Sequence, residues 1–376
     1  MTAPAAERTG DERVVLDVSA AHPTAGGGHT YAHLLSRHLP AVGVKPLCLT
    51  RVGDSSDKWD QRAVLPVVPT NRLRRLAWEQ TSLLRTVARR APAASVLHST
   101  HYTMPEYPRR APIARIVTIH DLTFFTRPAD HSVAKRQFFR RAIAVAARRA
   151  DQLICVSEPT ARELLRFVDV RVGVEVIPHG IDLTRFTTDE PSPGHDTRIL
   201  AELGIDRPYA LHLGTIEPRK NVARFIEAMA CQRGPSSDLE VVLAGGAWPG
   251  EREALPAPKG LRIHHLGIVD DAVVPALLRS ARVIAYPSFA EGFGLPVIEA
   301  LACGAPVVTS RHSVMEELAP NAVIVVDPLS VDELADALRR AASGDGPELA
   351  DRTSAASRYD VGECARRHAA VYERFL

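Results

Sequence analysis

The chain has 376 residues, 45% hydrophobic and 24% charged, the balance of a water-soluble globular protein too long for one ordinary core, so two domains are expected. Five cysteines (Cys48, Cys155, Cys231, Cys303, Cys364) are scattered and include no C-x-x-C, which argues against a disulfide framework or a zinc site and points to a reducing cytoplasm. Net charge is only +2, yet residues 1–180 hold 26 Lys/Arg against 16 Asp/Glu, and residues 181–376 hold 20 against 28. A basic first half suits an anionic partner such as phospholipid headgroups, a lipid diphosphate or nucleic acid. Of the 46 basic residues 41 are Arg, so compositional bias is an equal explanation. The opening MTAPAAERTGDERVV has no apolar h-region and no run of 18 apolar residues occurs, so neither a secretion signal nor a spanning helix is expected.

In chain order, strand-like runs cover 13–19, 44–50, 95–99, 114–120, 152–157 and 174–178, with helical patterns at 29–39, 73–90, 133–149 and 158–167. TTDEPSPGHD (187–196) reads as a linker. The alternation restarts with strands at 209–214, 239–245, 261–267, 282–288, 306–310 and 322–328, and helices at 220–230, 270–281, 296–303 and 330–342. Apolar runs with little polar alternation, separated by helices, indicate buried parallel sheets. The fold class expected is α/β, two Rossmann-like doubly wound domains facing each other across a cleft. Ligands in such sheets bind beyond the carboxyl ends of the strands.

At those ends stand the residues with chemistry. After the first strand, HPTAGGGHTYAHLL brings Gly26, Gly27 and Gly28 to a helix start, where backbone can approach a phosphate. The G-x-G-x-x-G and Walker patterns are not met, which disfavours a nicotinamide dehydrogenase or P-loop enzyme. A plain flexible turn is the competing reading. TIHDLTFF puts His120 and Asp121 at the end of the fourth run. His98 and His101 form H-x-x-H at a strand end without the following Glu of a zincin, and the chain has no Asp-x-Asp, so no metal is expected. GTIEPRKNVARFIEA (214–228) places Gly214 at a strand end and Arg219-Lys220 before a helix. A planar guanidinium and a point charge together suit a diphosphate, and a basic pair at a helix start otherwise opposes the helix dipole.

AEGFGLPVIEALACG (290–304) sets Glu291 and Glu299 on either side of a glycine turn. Pro296 suits a helix start and Gly304 its stop. The N–H groups of Phe293, Gly294 and Leu295 would then crown an anion site between two carboxylates. A nucleotide sugar has that profile, with a diphosphate between a hexose and a ribose. The bland alternative is a capped helix with a dipole-favoured acid.

Together the Gly-rich first loop, WEQ (78–80), TIHDL (118–122), VSEPTARELL (156–165), IPHGID (177–182), GTIEPRKN (214–221) and EGFGLPVIEALACGAPVV (291–308) resemble the family 4 glycosyltransferases of the GT-B fold, over residues 13–345. The WEQ and HDL forms are similar to bacterial mannosyltransferases of surface-polysaccharide and glycolipid assembly. The resemblance implies an acceptor-binding domain at 1–185, a nucleotide-sugar domain at 186–359, and a final helix (360–376) returning to the first. It implies that Arg219 and Lys220 hold the donor diphosphate and that Glu299 binds the ribose. Glu291, with the backbone of Gly292, Phe293, Gly294 and Leu295, would hold the sugar and distal phosphate. Gly27, Gly28 and Gly214 would complete the donor site, and His120 would meet the sugar. Retention of anomeric configuration is implied, with the leaving phosphate deprotonating the acceptor and neither metal nor other cofactor required. His179 in IPHGID departs from the asparagine common there, and no function is attached to it.

The reading is a cytoplasmic hexosyltransferase, using GDP-mannose first, with a glycan or lipid-linked acceptor and no nucleic-acid partner. A UDP-hexose donor, a nucleotide-sugar epimerase and a non-catalytic sugar-nucleotide sensor are the alternatives. RLRRLAWEQTSLLRTVARR (72–90) and KRQFFRRAIAVAARR (135–149) read first as ordinary domain helices with a solvated Arg face, and also suit peripheral contact with anionic membrane.

Overall fold

A computed structural model describes residues 13–19, 26–53, 64–107, 112–231 and 239–376. The chain divides into two compact units, Met1–Gly180 with Val361–Leu376, and Ile181–Asp360. The proline-containing stretch 187–196 therefore lies within the second unit, where its prolines and Gly194 mark turns. Glu190 accepts the backbone N–H groups of Gly194 and Asp196 at 2.9 and 3.2 Å, which starts a helix at His195–Glu202.

In the first unit β1 (Val14–Asp17), β2 (Leu47–Arg51), β3 (Val64–Val68), β4 (Val96–Ser99), β5 (Ala114–Ile119), β6 (Gln152–Cys155) and β7 (Gly173–Val176) form one sheet. Its order is β3-β2-β1-β4-β5-β6-β7, and every pairing is parallel. β3 escapes the sequence pattern because it contains Pro66. A proline cannot donate to a ladder, and it is tolerated because β3 is an edge strand. The helix expected over 73–90 breaks at Ser82 into Arg72–Thr81 and Leu83–Arg90. There Thr81 Oγ1 bonds back to the Ala77 carbonyl at 2.8 Å, a contact that bends helices.

The helix Val361–Glu373 closes this unit, with Cys364, Ala365, Val371 and Tyr372 in the core beside Val14, Leu16, Tyr31 and Ile116. It is also tied by polar bonds. Tyr372 Oη lies 2.7 Å from His98 Nδ1, and His98 Nε2 lies 2.8 Å from Thr118 Oγ1. Thr118 Oγ1 is 2.9 Å from Tyr31 Oη, which is 2.8 Å from His368 Nε2. His368 Nδ1 bonds the Cys364 carbonyl at 2.8 Å, so Nδ1 carries the proton and Nε2 accepts from Tyr31. One direction of donation then satisfies the whole chain, from Tyr372 through His98, Thr118 and Tyr31 to His368. Burial raises both tyrosines and lowers both histidines, His368 to about 4, so the network stays neutral.

The second unit repeats the plan. β8 (Tyr209–Leu213), β9 (Glu240–Ala244), β10 (Ile263–Gly267), β11 (Val283–Tyr286), β12 (Val307–Ser310) and β13 (Ile324–Val326) are ordered β10-β9-β8-β11-β12-β13. All pairs are parallel. The order reverses between β8 and β11, and in the first unit between β1 and β4. Ligands of doubly wound sheets sit at that reversal.

Candidate active site

In the second unit the two segments that leave the reversal point are those that carry the charged motifs. After β8, Gly214 has φ 145°, and a Cβ on Gly245, which follows β9, would lie 2.1 Å from the Gly214 carbonyl oxygen. Only glycine lets these backbones meet. Residues Pro218–Lys220 form a 3-10 turn, and Asn221 takes the left-handed conformation at φ 58°. Its side-chain amide donates to the Pro287 and Pro328 carbonyls at 3.2 and 2.7 Å, which turns the chain into the helix Val222–Cys231. The Arg219 carbonyl receives the Phe289 N–H at 2.8 Å, so the two segments are tied by backbone as well as by charge.

After β11 the chain runs through Glu291 to the helix Leu295–Ala302. Gly294 is its N-cap at φ 86°, and a Cβ there would lie 2.8 Å from Met315 Cγ. No side chain caps this helix and no acid stands in its first turn, which leaves the positive end of the dipole uncompensated by the helix itself. Arg219 donates to Glu291 Oε2 and Glu217 Oε1, each at 2.7 Å, and to the Ala290 carbonyl at 2.9 Å. The Lys220 ammonium bonds Glu291 Oε1 and the Tyr286 hydroxyl. Burial pushes the Glu291 carboxyl up, but Arg219 and Lys220 outweigh it and hold it at about 2. Burial lowers Lys220, against the upward pull of Glu291. The site is thus a cluster in which two basic side chains, Arg219 and Lys220, meet two acidic ones, Glu217 and Glu291.

Glu299 sits deeper in the same helix. Burial raises its carboxyl to about 7, with Arg185 opposing and Asp271 adding to the rise. The two glutamates of the motif therefore move in opposite directions, Glu291 held down by its two basic neighbours and Glu299 pushed up by burial.

In the first unit Gly27 and Gly28 are exposed in the first turn of the helix Gly26–His38; residues 21–25 of the Gly-rich stretch lie outside the described residues. His120 follows β5, with Nε2 2.8 Å from the Thr100 carbonyl. Its neighbour Asp121 instead caps a turn, accepting from Thr123 N and Oγ1 at 3.0 and 2.7 Å. His98 and His101 go separate ways: His98 joins the buried network, and His101 meets Asp17 at 3.2 Å. Among the described residues Asp17, Glu79 and His101 offer ligand atoms within 4.8 Å of one another. These groups already engage protein partners. The Thr103 hydroxyl donates to Glu79 at 2.8 Å, and the Arg75 guanidinium lies 3.5 Å from the same carboxylate.

Residues 25–185 match the family model described as Glycosyltransferase Family 4, and residues 197–359 match that of Glycosyl transferases group 1. The chain belongs to the family 4 glycosyltransferases. It is 30% identical over 247 residues to the O-antigen chain mannosyltransferase B of Escherichia coli, covering 64% of this chain and 63% of that one. It is also 30% identical over 246 residues to the MMP alpha-(1->4)-mannosyltransferase of Mycolicibacterium hassiacum, covering 60% and 56%. The matches thus span about three fifths of these relatives' length. Anabaena HepE, solved in complex with UDP and glucose, superposes with a TM-score of 0.76 at 19% identity over 96% of this chain and 99% of that one. The α/β GT-B fold of the family follows.

Within this family member the structure brings Arg219, Lys220, Glu291, Gly292, Phe293, Gly294, Leu295 and Glu299 to one end of the second sheet, with Gly214 beside them. Tyr286, Glu217 and Asn221 are site residues that the motifs alone do not single out. Tyr286 ends an apolar strand and Asn221 follows a basic pair, signals visible only once the loops they join are known. Among the described residues no helix is long and apolar enough to cross a membrane.

Proposed function

We propose that the chain is a retaining hexosyltransferase that moves mannose from GDP-mannose to a glycan or lipid-linked acceptor without a metal. The observation that carries this is the Arg219–Lys220–Glu291 cluster at the sheet reversal, beside the uncapped helix Leu295–Ala302. In the reaction the bond from the anomeric carbon to the diphosphate oxygen breaks, and the acceptor oxygen bonds that carbon on the same face. The acceptor proton passes to the leaving diphosphate. Arg219 and Lys220 take up the charge that develops there, the part a divalent ion plays elsewhere. Glu299 grips the ribose, Glu291 and the Gly292–Leu295 backbone meet the sugar and distal phosphate, and His120 meets the sugar. Two relatives named as mannosyltransferases favour mannose. A UDP-hexose donor is the second reading, favoured by the UDP and glucose held in HepE.

A thermal-shift panel of nucleotide sugars, followed by transfer assays with and without EDTA, tests the reading. GDP-mannose is expected to raise the melting temperature, release of GDP should require acceptor, and EDTA should not matter. Replacing Arg219 and Lys220 by Gln should lower turnover by about 10²–10³-fold, the usual cost of lost charge stabilisation. Because those changes strand a buried carboxylate, the triple variant with Glu291→Gln is the folding control. An absolute Mg²⁺ requirement, or near-normal turnover of the double variant, would sink the claim. Contact of the helices at 72–90 with anionic membrane is a further part of the proposal, tested by liposome flotation.

A further inference from the structure

The Pro178-His179-Gly180 turn takes no part in the site so far described. The His179 ring is buried, 4% exposed, and lies parallel to that of His120, with centroids 5.5 Å apart and planes 16° apart. Tyr31 stands edge-on to both, 4.7 Å from His179 and 5.2 Å from His120. Tyr102 stands edge-on to His120 at 5.8 Å. Tyr31 cannot drift, because its hydroxyl is held by Thr118 and His368 at 2.9 and 2.8 Å. His120 has Nε2 2.8 Å from the Thr100 carbonyl. A carbonyl only accepts, so Nε2 carries the proton and Nδ1 presents a lone pair.

We propose that His179 is a positioning residue: its ring, stacked on His120, keeps the His120 ring in the one orientation in which Nε2–H reaches the Thr100 carbonyl, so that Nδ1 accepts a hydrogen bond from a hydroxyl of the bound sugar. This rests on the reading above, in which His120 meets the donor sugar. Two parallel imidazoles at this distance disfavour a second charge. Burial lowers both, His179 well below the usual histidine range, and the charge of His120 presses His179 down further. The other titratable groups that act on the pair are Asp121, which favours a charged His120, His101 and His368, which oppose charge on His120 and His179 respectively, and the two flanking tyrosines. An amide at position 179 would offer no ring face to stack.

The experiment uses the full chain labelled with ¹⁵N-histidine, with His120→Gln identifying the His120 signals. Wild type and His179→Phe, which keeps a flat ring, should show His120 as a single Nε2–H tautomer. His179→Ala should show a mixture, with titration moved upward by about half to one pH unit as water reaches the ring. Since neutral His120 is the competent form, the acid limb of the turnover profile should move to higher pH by the same amount. Turnover of His179→Ala should fall about 5- to 20-fold with the donor KM within about two-fold, the pattern of lost aim and not of lost binding. His179→Phe should stay within about two-fold of wild type. His179→Leu, which fills the space without a flat face, replaces Ala if that variant does not fold. An unchanged His120 tautomer and titration in Ala or Leu, or a Phe variant as impaired as Ala, overturns the inference. Full transfer by His120→Gln would instead overturn the reading of His120 itself, and the NMR arm tells the two failures apart.

Discussion

Glu291 and Glu299 belong to one motif, yet their surroundings send them in opposite directions. At Glu291 two cations outweigh burial; at Glu299 burial prevails. The depressed Glu291 contributes stability that is present above the ordinary glutamate range and lost as pH falls towards about 2. The raised Glu299 behaves the other way: stability is highest below its unfolded value and is lost as pH climbs towards about 7. Glu299→Gln should therefore stabilise the protein at pH 8 by about 3 kcal/mol, each tenfold change in proton affinity being worth about 1.4 kcal/mol, and by nothing near pH 4. Urea unfolding across that range checks it; identical pH profiles for variant and parent would refute the buried-acid account. The same variant should weaken nucleotide diphosphate and whole donor by similar factors if Glu299 grips the ribose. The spacing of the two acids is plain in the sequence. That Glu291 is the counter-ion of Arg219 and Lys220 is not, because those positions lie some seventy residues apart and only β8 and β11, side by side, bring them together.

At the scale of elements, hydrophobic pattern located twelve of the thirteen strands among the described residues because buried parallel strands are continuous apolar runs. The thirteenth, β3, hides behind Pro66, whose missing N–H is harmless only at a sheet edge, and edge position is a tertiary fact. The two Arg-rich stretches also separate once folded. In the helix Val133–Arg149, Arg141 and Arg149 pair with Glu106 and Arg148 with Asp169. Around the helices at 72–90, Leu73 is 77% exposed, and Arg74, Arg85, Arg89 and Arg90 are exposed as well. If this protein touches anionic membrane, the 72–90 surface is the element to do it. Flotation with anionic liposomes is expected to fall with salt and with Leu73→Ser or Arg85→Glu/Arg89→Glu, and to be indifferent to Arg148→Glu. Equal flotation with neutral vesicles, or none, leaves these helices as ordinary solvated surface.

For the molecule as a whole, the last helix is the test of how the chain is divided. The first unit owns Val361–Leu376, and a Cβ on Gly180 would lie 2.4 Å from Val361 Cα. Removing residues 361–376 takes Val371, Tyr372 and Cys364 from a core that also contains Tyr31 and Ile116, and takes from His98 its Tyr372 partner and from Tyr31 its His368 partner. Deletions of large buried side chains cost about 3–5 kcal/mol each, so the first unit should unfold while the second keeps cooperative melting and nucleotide binding. Calorimetry of the truncated chain checks this; two intact transitions would mean that the helix is dispensable. Fold class and the location of the charged motifs needed only the sequence, because periodicity and composition are local properties and strand ends are where ligands meet such sheets. Which motif groups neutralise one another, which histidines are structural, and which imidazole stacks on His120 were decided by tertiary structure. Burial and the distance between charges are set by residues far apart in the chain, and these set protonation state.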